Sequence, residues 1–145
     1  MTAGTNEQRA HGLQMCLQRL ARGALPFGAR LADRISALAV AFTEDYEGTL
    51  SARAIDAFVT FLEGNAAFGY PDLTATPAGD LYAEWRGANG RMLTIEFLDT
   101  GDVRYLVFAP NPRHPQRTDR LSGVTTADAL PYTIAPLAHL TGLAT

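Results

Sequence analysis

The sequence predicts an α+β fold, in which N-terminal helices pack with a three-stranded antiparallel β-meander and a short C-terminal helix. Two patterns predict it: apolar residues recur at helical spacing in residues 1–65, and they recur at every second position between Leu81 and Val107. The chain has 145 residues, of which 47% are hydrophobic, so it is long enough to bury a sizeable core. We therefore expect a single domain over residues 1–145.

The helical part, residues 1–65, carries three apolar stripes separated by helix-breaking residues. Each stripe places its members on one side of a 3.6-residue helix. Gly23 and Pro26 interrupt the pattern after the first stripe, and either Thr49 or Ser51 is suited to cap the third helix. The stripes are, in order, Leu13, Cys16, Leu17 and Leu20; Leu31, Ile35, Leu38 and Phe42; and Ile55, Phe58, Val59 and Leu62.

Residues 66–108 contain the meander, whose three strands alternate apolar and polar side chains. The stretch from Phe68 to Pro71 is expected to be a loop that precedes it. Asn89-Gly90 and Asp99-Thr-Gly101 suit the two hairpin turns. Matching the apolar faces predicts cross-strand pairs of Trp85 with Leu93, Ala83 with Ile95, Phe97 with Val103, and Ile95 with Tyr105.

Residues 109–145 are predicted to form a loop followed by the C-terminal helix. Three prolines at the start of this segment disfavour both a helix and a central strand. The helix is expected further on, where apolar residues return at helical spacing. The prolines are Pro110, Pro112 and Pro115, and the apolar residues are Ile134, Leu137 and Leu140.

The second half of the chain resembles a group of small uncharacterised bacterial proteins. In that group a Thr-Pro-x-Gly turn leads into a strand that ends in tryptophan and then into a meander. Here the matching segments are Leu73–Gly79, with the turn Thr-Pro-Ala-Gly, followed by Asp80–Trp85, Met92–Phe97 and Val103–Phe108, with Ser122-Gly123 and Asp128–Pro131 in the tail. The resemblance implies a fold and transfers no catalytic residue. It associates the chain with bacterial operons that encode an interacting partner, toxin and antitoxin pairs among them.

Composition and charge narrow the classes of function. No stretch approaches the roughly 20 apolar residues that cross a bilayer, so we expect a cytoplasmic protein that is not in the membrane. The net charge is −3, with basic segments 1–34 and 103–145 flanking an acidic segment 44–102. This distribution argues against a nucleic-acid binder and is compatible with a protein partner or a homodimer.

Cysteine and histidine content predict neither a disulfide nor a metal site. Cys16 is the only cysteine, and it lies on the apolar stripe of the first helix, which favours a buried, inert thiol. His11, His114 and His139 are too widely spaced to place two ligands on one helical face. We expect no metal and no cofactor.

The first candidate site is the polar face of the predicted sheet, formed by Tyr82, Glu84 and Glu96 with Arg104. The predicted register places Glu96 opposite Arg104. Two carboxylates beside an arginine could act as acid and base if burial raised the pKa of one of them. Cross-strand ion pairs on a solvated sheet face are the simpler interpretation.

The second candidate site is the basic segment after the third strand, which contains Arg113, His114, Arg117 and Arg120. Guanidinium groups bind phosphate and carboxylate in a planar, bidentate geometry. The alternative is a mobile basic loop partly neutralised by Asp119.

The sequence contains no complete catalytic constellation, so the leading hypothesis is a non-enzymatic protein-interaction module, such as the partner subunit of an operon-encoded complex. The alternative is a small enzyme or a phosphate- or RNA-binding protein. That protein would use the Arg113–Arg120 segment together with Glu96 and Arg104.

Overall fold

The computed structural model describes residues 2–65 and 68–133, and the side chains from residue 7 onward. Three helices come first: α1 is Thr2–Arg22, α2 is Gly28–Asp45 and α3 is Ala52–Gly64. Five strands follow: β1 is Asp72–Ala75, β2 is Leu81–Arg86, β3 is Met92–Phe97, β4 is Asp102–Pro110 and β5 is Thr118–Thr126. The α+β class is therefore confirmed.

The prediction of three strands is wrong, because the sheet has five antiparallel strands in the order β1-β2-β3-β4-β5. The sheet is a continuous meander in which each strand pairs with the next one in the chain. A short helical turn begins at Leu130 and is described to Thr133. The C-terminal helix predicted around Ile134, Leu137 and Leu140 lies outside the described residues.

β5 lies in a segment that was predicted to be a loop, β1 lies in a segment for which no element was predicted, and each lacks the signal that identified the other strands. β1 has only four residues and follows Pro71. β5 has nine residues, but nearly all are exposed, so no alternation of buried apolar residues marks it. β4 continues through Ala109 and Pro110, beyond the predicted end of the third strand. β3 ends opposite Phe108, so Pro110 is paired only with β5 and its nitrogen faces the unpaired side, where a proline costs little.

The predicted pairs and inward face are confirmed. All four pairs occur, namely Trp85 with Leu93, Ala83 with Ile95, Phe97 with Val103, and Ile95 with Tyr105. The inward side chains of β2 and β3 are buried, and those of β4 are buried except Tyr105 and Ala109, which are half-buried. The Nε1 of Trp85 donates a hydrogen bond to the Gly69 carbonyl at 3.1 Å, so its one polar atom is satisfied.

Helix α3 packs on this inner face. The rings of Phe58 and Phe97 lie 5.5 Å apart edge to face, and those of Phe61 and Trp85 lie 5.9 Å apart. Ser51 caps α3, since its side-chain oxygen accepts a hydrogen bond from the Ala54 amide at 3.0 Å. Aromatic pairs of this kind contribute about 0.5–1.5 kcal/mol beyond the burial of their area.

Helices α1 and α2 complete one hydrophobic core with α3 and the sheet. Cys16 on α1 is buried in this core, as its position on the apolar stripe predicts, and burial raises the pKa of its thiol. No helix within the described residues is long and apolar enough to cross a membrane.

Candidate functional site

The helices contact the sheet on its inner face, and the opposite face, called here the outer face, carries both polar and apolar side chains. Strand register assigns its members from β2 to β5. They are Tyr82, Glu84, Arg86, Met92, Thr94, Glu96, Asp102, Arg104, Leu106, Phe108, Pro110, Thr118, Arg120, Ser122, Val124 and Thr126. The register thus places the residues of the predicted polar face on one surface, which also contains apolar residues that the sequence interpretation did not include.

The predicted pairing of Glu96 with Arg104 occurs on the outer face. The two residues are directly opposite in the register of β3 and β4. Arg104 Nη1 lies 3.8 Å from Glu96 Oε1, and the Arg104 side chain is 64% exposed. A long, exposed ion pair of this kind contributes about 0–1 kcal/mol and holds neither group rigidly.

Glu84 makes a closer contact with Arg86, two residues along β2. Arg86 Nε donates to Glu84 Oε2 at 2.7 Å, and this hydrogen bond raises the pKa of the Arg86 guanidinium. The Glu84 side chain is only 16% exposed, while that of Arg86 is 71% exposed. The carboxylate of the pair is therefore shielded, and the guanidinium faces solvent.

One row of the outer face combines exposed arginines with half-buried apolar side chains, and we name it the Arg–Met–Phe–Arg row. Register places Arg86 opposite Met92, Met92 opposite Phe108, and Phe108 opposite Arg120. The row crosses four strands, a distance of roughly 14 Å at the usual strand spacing. Both arginines are exposed, and Met92 and Phe108 are half-buried. The row thus presents an apolar centre with a guanidinium group at each end.

The predicted basic segment forms the hairpin between β4 and β5, and Asn111 organises it. Asn111 Oδ1 accepts hydrogen bonds from the backbone amides of Arg113 at 2.8 Å and His114 at 3.0 Å. Asn111 Nδ2 donates to both carboxylate oxygens of Asp119, at 3.2 and 3.1 Å. The carboxylate of Asp119 therefore pairs with the side-chain amide of Asn111 at the base of the hairpin.

The arginines of this hairpin are exposed. Within residues 7–65 and 68–133, the guanidinium groups of Arg113, Arg117 and Arg120 make no ion pair. Arg120 lies on the outer face, four residues along the ladder from the position opposite Arg104, or roughly 14 Å away. Arg120 therefore belongs both to the predicted basic segment and to the outer face. It lies too far from Arg104 for the two predicted sites to form one compact site.

A groove of about 920 Å³ lies at this end of the sheet. Its lining combines apolar surface from strands β4 and β5 and the hairpin with polar groups from the turn before β3. The residues that matter most are Arg91, Val107, Pro112, Pro115, Arg120 and Leu121. An apolar floor beside guanidinium groups suits an amphipathic anion.

A polar network around the buried residues Ser51 and Asp80, which the sequence interpretation missed, joins α3 to the turns at one end of the sheet. Ser51 Oγ donates to Asp99 Oδ1 at 2.6 Å, and the Asp99 amide donates to Asp80 Oδ1 at 2.9 Å. Arg9 Nη2 lies 3.2 Å from Asp99 Oδ2. Burial raises the pKa of Asp80, and the nearby Asp99 charge acts in the same direction.

This network is structural. Ser51 is 1% exposed, and its oxygen is engaged both as the cap of α3 and as the donor to Asp99. Asp80 ends the Thr-Pro-Ala-Gly turn, in which the Thr76 amide donates to the Asp80 carbonyl at 2.9 Å. The signal available in the sequence was an acidic residue directly after a tight turn and before a buried strand.

Among residues 7–65 and 68–133, no group of three or more histidine, cysteine, aspartate and glutamate side chains is arranged to hold a metal ion. Comparisons with models of protein families, with curated proteins and with solved structures gave no match.

Proposed function

We propose that this chain is a non-enzymatic protein-interaction module that binds its partner through the outer face of the sheet. The observation that carries the proposal is the Arg–Met–Phe–Arg row, in which half-buried Met92 and Phe108 lie between exposed Arg86 and Arg120. Methionine, aromatic residues and arginine are the types enriched at the centres of protein interfaces.

The charges of the outer face indicate the chemistry of the partner. Its arginines are exposed, whereas the side chains of Glu84 and Glu96 are only 16% and 25% exposed and each is paired with an arginine. Its exposed carboxylates, Asp72 and Asp102, lie outside the Arg–Met–Phe–Arg row. A complementary surface would therefore place apolar side chains against Met92 and Phe108 and carboxylates near the row's ends. The resemblance to small bacterial proteins extends this proposal to a partner encoded in the same operon, of which an antitoxin-like complex is one form.

Coexpression of the tagged chain with the products of its flanking genes tests the proposal. Phe108→Ala and Arg86→Ala should each reduce copurification of the partner at least about tenfold, because truncation of a central aromatic or arginine residue typically costs 2 kcal/mol or more. Val40→Ala and Arg22→Ala are matched controls, since both residues are exposed on helices remote from the outer face.

Two results would contradict the proposal. One is equal copurification with all four variants, which would exclude the outer face. The other is the absence of any copurifying flanking product, together with turnover of a small molecule by the purified chain. Circular dichroism of each variant establishes that a loss of binding is not a loss of folding.

A second candidate function is supported by the hairpin, whose Arg113 and Arg117 are exposed and make no ion pair among the described side chains. Such groups can contact phosphate, either free or in RNA. A single-stranded RNA oligonucleotide is the probe. Arg113→Ala and Arg117→Ala should weaken binding and reduce its salt dependence, by about 0.7 per contact in a log–log plot, while Arg22→Ala should not. Indifference to both hairpin variants would eliminate this function.

A further inference from the structure

Strand β5 forms one edge of the sheet and is long and exposed. It has nine residues, and its Leu121 and Val124 side chains are 45% and 64% exposed. Within the described residues, β5 pairs only with β4. An edge strand of this length presents a row of unpaired backbone groups to any chain that can add to it.

Two hydrogen bonds show which backbone groups of β5 point outward. The Asn111 amide donates to the Arg117 carbonyl at 2.8 Å, and the Ala127 amide donates to the Gly101 carbonyl at 3.1 Å. Both continue the ladder with β4, one at each end of β5. Because hydrogen-bonded and non-bonded positions alternate in antiparallel pairs, the odd-numbered residues bond to β4. The outward groups therefore belong to Thr118, Arg120, Ser122, Val124 and Thr126.

We infer that β5 pairs in antiparallel fashion with β5 of a second copy of this chain, which would join two five-stranded sheets into one. The two-fold axis of such a pair is perpendicular to the sheet, so opposed residues must lie on the same face. The register that overlaps all nine residues meets this condition. It places Thr118 opposite Thr126, Arg120 opposite Val124, and Ser122 opposite Ser122 of the second copy.

Charge favours a second copy as the occupant. Asp119 and Arg120 give the strand no net charge, and residues 121–126 carry none. In the full-length register Arg120 faces Val124, and Asp119 faces Thr125. No like charges oppose each other, which would destabilise a cross-strand pair.

Shape also favours a second copy. On the inner face, Leu121 would lie beside Gly123 of the second copy. The space above that glycine is closed by its own Tyr105, whose hydroxyl would clash with an added Cβ. In the dimer, Leu121 would therefore lie beside a glycine that has no side chain, and it would contact the ring of Tyr105 that covers this glycine. Aromatic and aliphatic neighbours across strands are a favourable combination.

Cysteine crosslinking tests the pairing and its register. Ser122→Cys should form a disulfide-linked dimer on mild oxidation, since opposed residues of a hydrogen-bonded antiparallel pair have Cα atoms about 5.5 Å apart. Thr126→Cys is the matched control, because it lies on the same face of the same strand but opposes Thr118. It should link only when mixed with Thr118→Cys. The native Cys16 is buried and does not compete.

Two substitutions that place opposite charges at position 124 test the same register without crosslinking. Val124→Lys opposes a lysine to Arg120 at two symmetric positions and should weaken dimerisation in analytical ultracentrifugation by roughly five- to thirty-fold. Val124→Glu alters the same exposed site but opposes a carboxylate to Arg120 of the second copy, so the dimer should persist or tighten. Because Val124 also lies opposite Arg104 of its own chain, the unfolding free energy of both variants is measured beside their dimerisation.

Three results would overturn the inference. They are a wild-type chain that is monomeric at its highest soluble concentration, equal dimerisation of the Val124→Lys and Val124→Glu variants, and linking of Thr126→Cys alone as efficiently as Ser122→Cys. A wild-type monomer would leave the outer-face proposal intact, because that proposal is tested through Arg86 and Phe108 on other strands.

Discussion

The two edges of the sheet differ in how their backbone groups are satisfied. At the first edge, β1 has four residues, begins directly after the buried Pro71, and its Leu73 carbonyl accepts a hydrogen bond from Arg34 Nη2 of α2 at 3.0 Å. At the other edge, β5 has nine residues, and no described side chain or strand bonds its outward backbone groups.

The edge at β1 is therefore closed to the addition of another strand, and the edge at β5 is open to it. Shortness, a preceding proline and a charged side chain over the backbone are established ways of preventing strand addition, and β1 combines them. The open strand β5 carries the proposed pairing surface, and the Arg–Met–Phe–Arg row extends from β2 across the outer face to Arg120 on that strand.

The largest expected difference between the two regions is in the cost of removing an apolar side chain. Phe97→Ala should lower the free energy of unfolding by about 3–5 kcal/mol, because Phe97 is fully buried and its ring contacts Phe58 and Phe61. Leu121→Ala on β5 should cost less than about 1 kcal/mol, since nearly half of that side chain is already exposed. Urea denaturation of both variants measures the difference.

Equal losses for the two variants would mean that β5 contributes to the core as much as β3 does. If Leu121→Ala lost stability only at high protein concentration, the loss would instead reflect dissociation of a dimer. The concentration series therefore separates the folding role of β5 from its proposed pairing role.

The central strands could be predicted from the sequence because one face of each is buried. The alternation from Leu81 to Val107 fixed both the inward face and the register, since a slip of one residue would expose that face. β5 could not be predicted this way, because its residues are exposed on both faces and leave no period of two. β1 is too short for alternation to be recognised.

The candidate site was predictable only in part, for a related reason. Charged residues such as Glu96 and Arg104 were recognisable as a cross-strand pair once the register was known. The Arg–Met–Phe–Arg row requires the pairing of Phe108 with Arg120, and that pairing depends on the missed strand β5. The position of Asp80 directly after a tight turn was visible in the sequence, but its contact with Asp99 and the contact of Asp99 with Ser51 join residues far apart in sequence, and no local pattern reveals them.

A loss of stability of intermediate size is expected when the contact that closes the edge at β1 is removed. Arg34→Ala removes the donor to the Leu73 carbonyl and should lower the free energy of unfolding by about 1–2 kcal/mol, the range for a partly buried hydrogen bond with a charged donor. Urea denaturation measures this loss. Light scattering should also show more self-association, because β1 would then expose an unpaired carbonyl.

Arg22→Ala is the control for this change, since Arg22 is an exposed arginine at the end of α1. Its effect should remain within about 0.5 kcal/mol. If the two arginine variants behaved alike, the contact between Arg34 and Leu73 would not be what closes the first edge.

The smallest expected effect is a change in pH dependence at the polar network, which anchors α3 to the turns of the sheet. Burial raises the pKa of Asp80 above its ordinary value of 3.8, so the folded state holds this proton more tightly than the unfolded state does. Stability should therefore fall as pH rises from about 3.8 through the folded-state pKa. Asp80→Asn removes this titration while its Oδ1 can still accept the Asp99 amide hydrogen bond.

The unfolding free energy of the wild type minus that of Asp80→Asn should accordingly decrease as pH rises through this window and become constant above it. Asp128→Asn, which alters an exposed carboxyl near the end of β5, serves as the control and should follow the wild type. If this difference in unfolding free energy increased with pH instead, the charged form of Asp80 would be favoured in the folded state. The attraction of Arg9 and Arg104 would then outweigh the effects of burial and of the Asp99 charge. The network would then be a set of attractive ion pairs holding the turns to α1, and Arg9→Ala should abolish the slope.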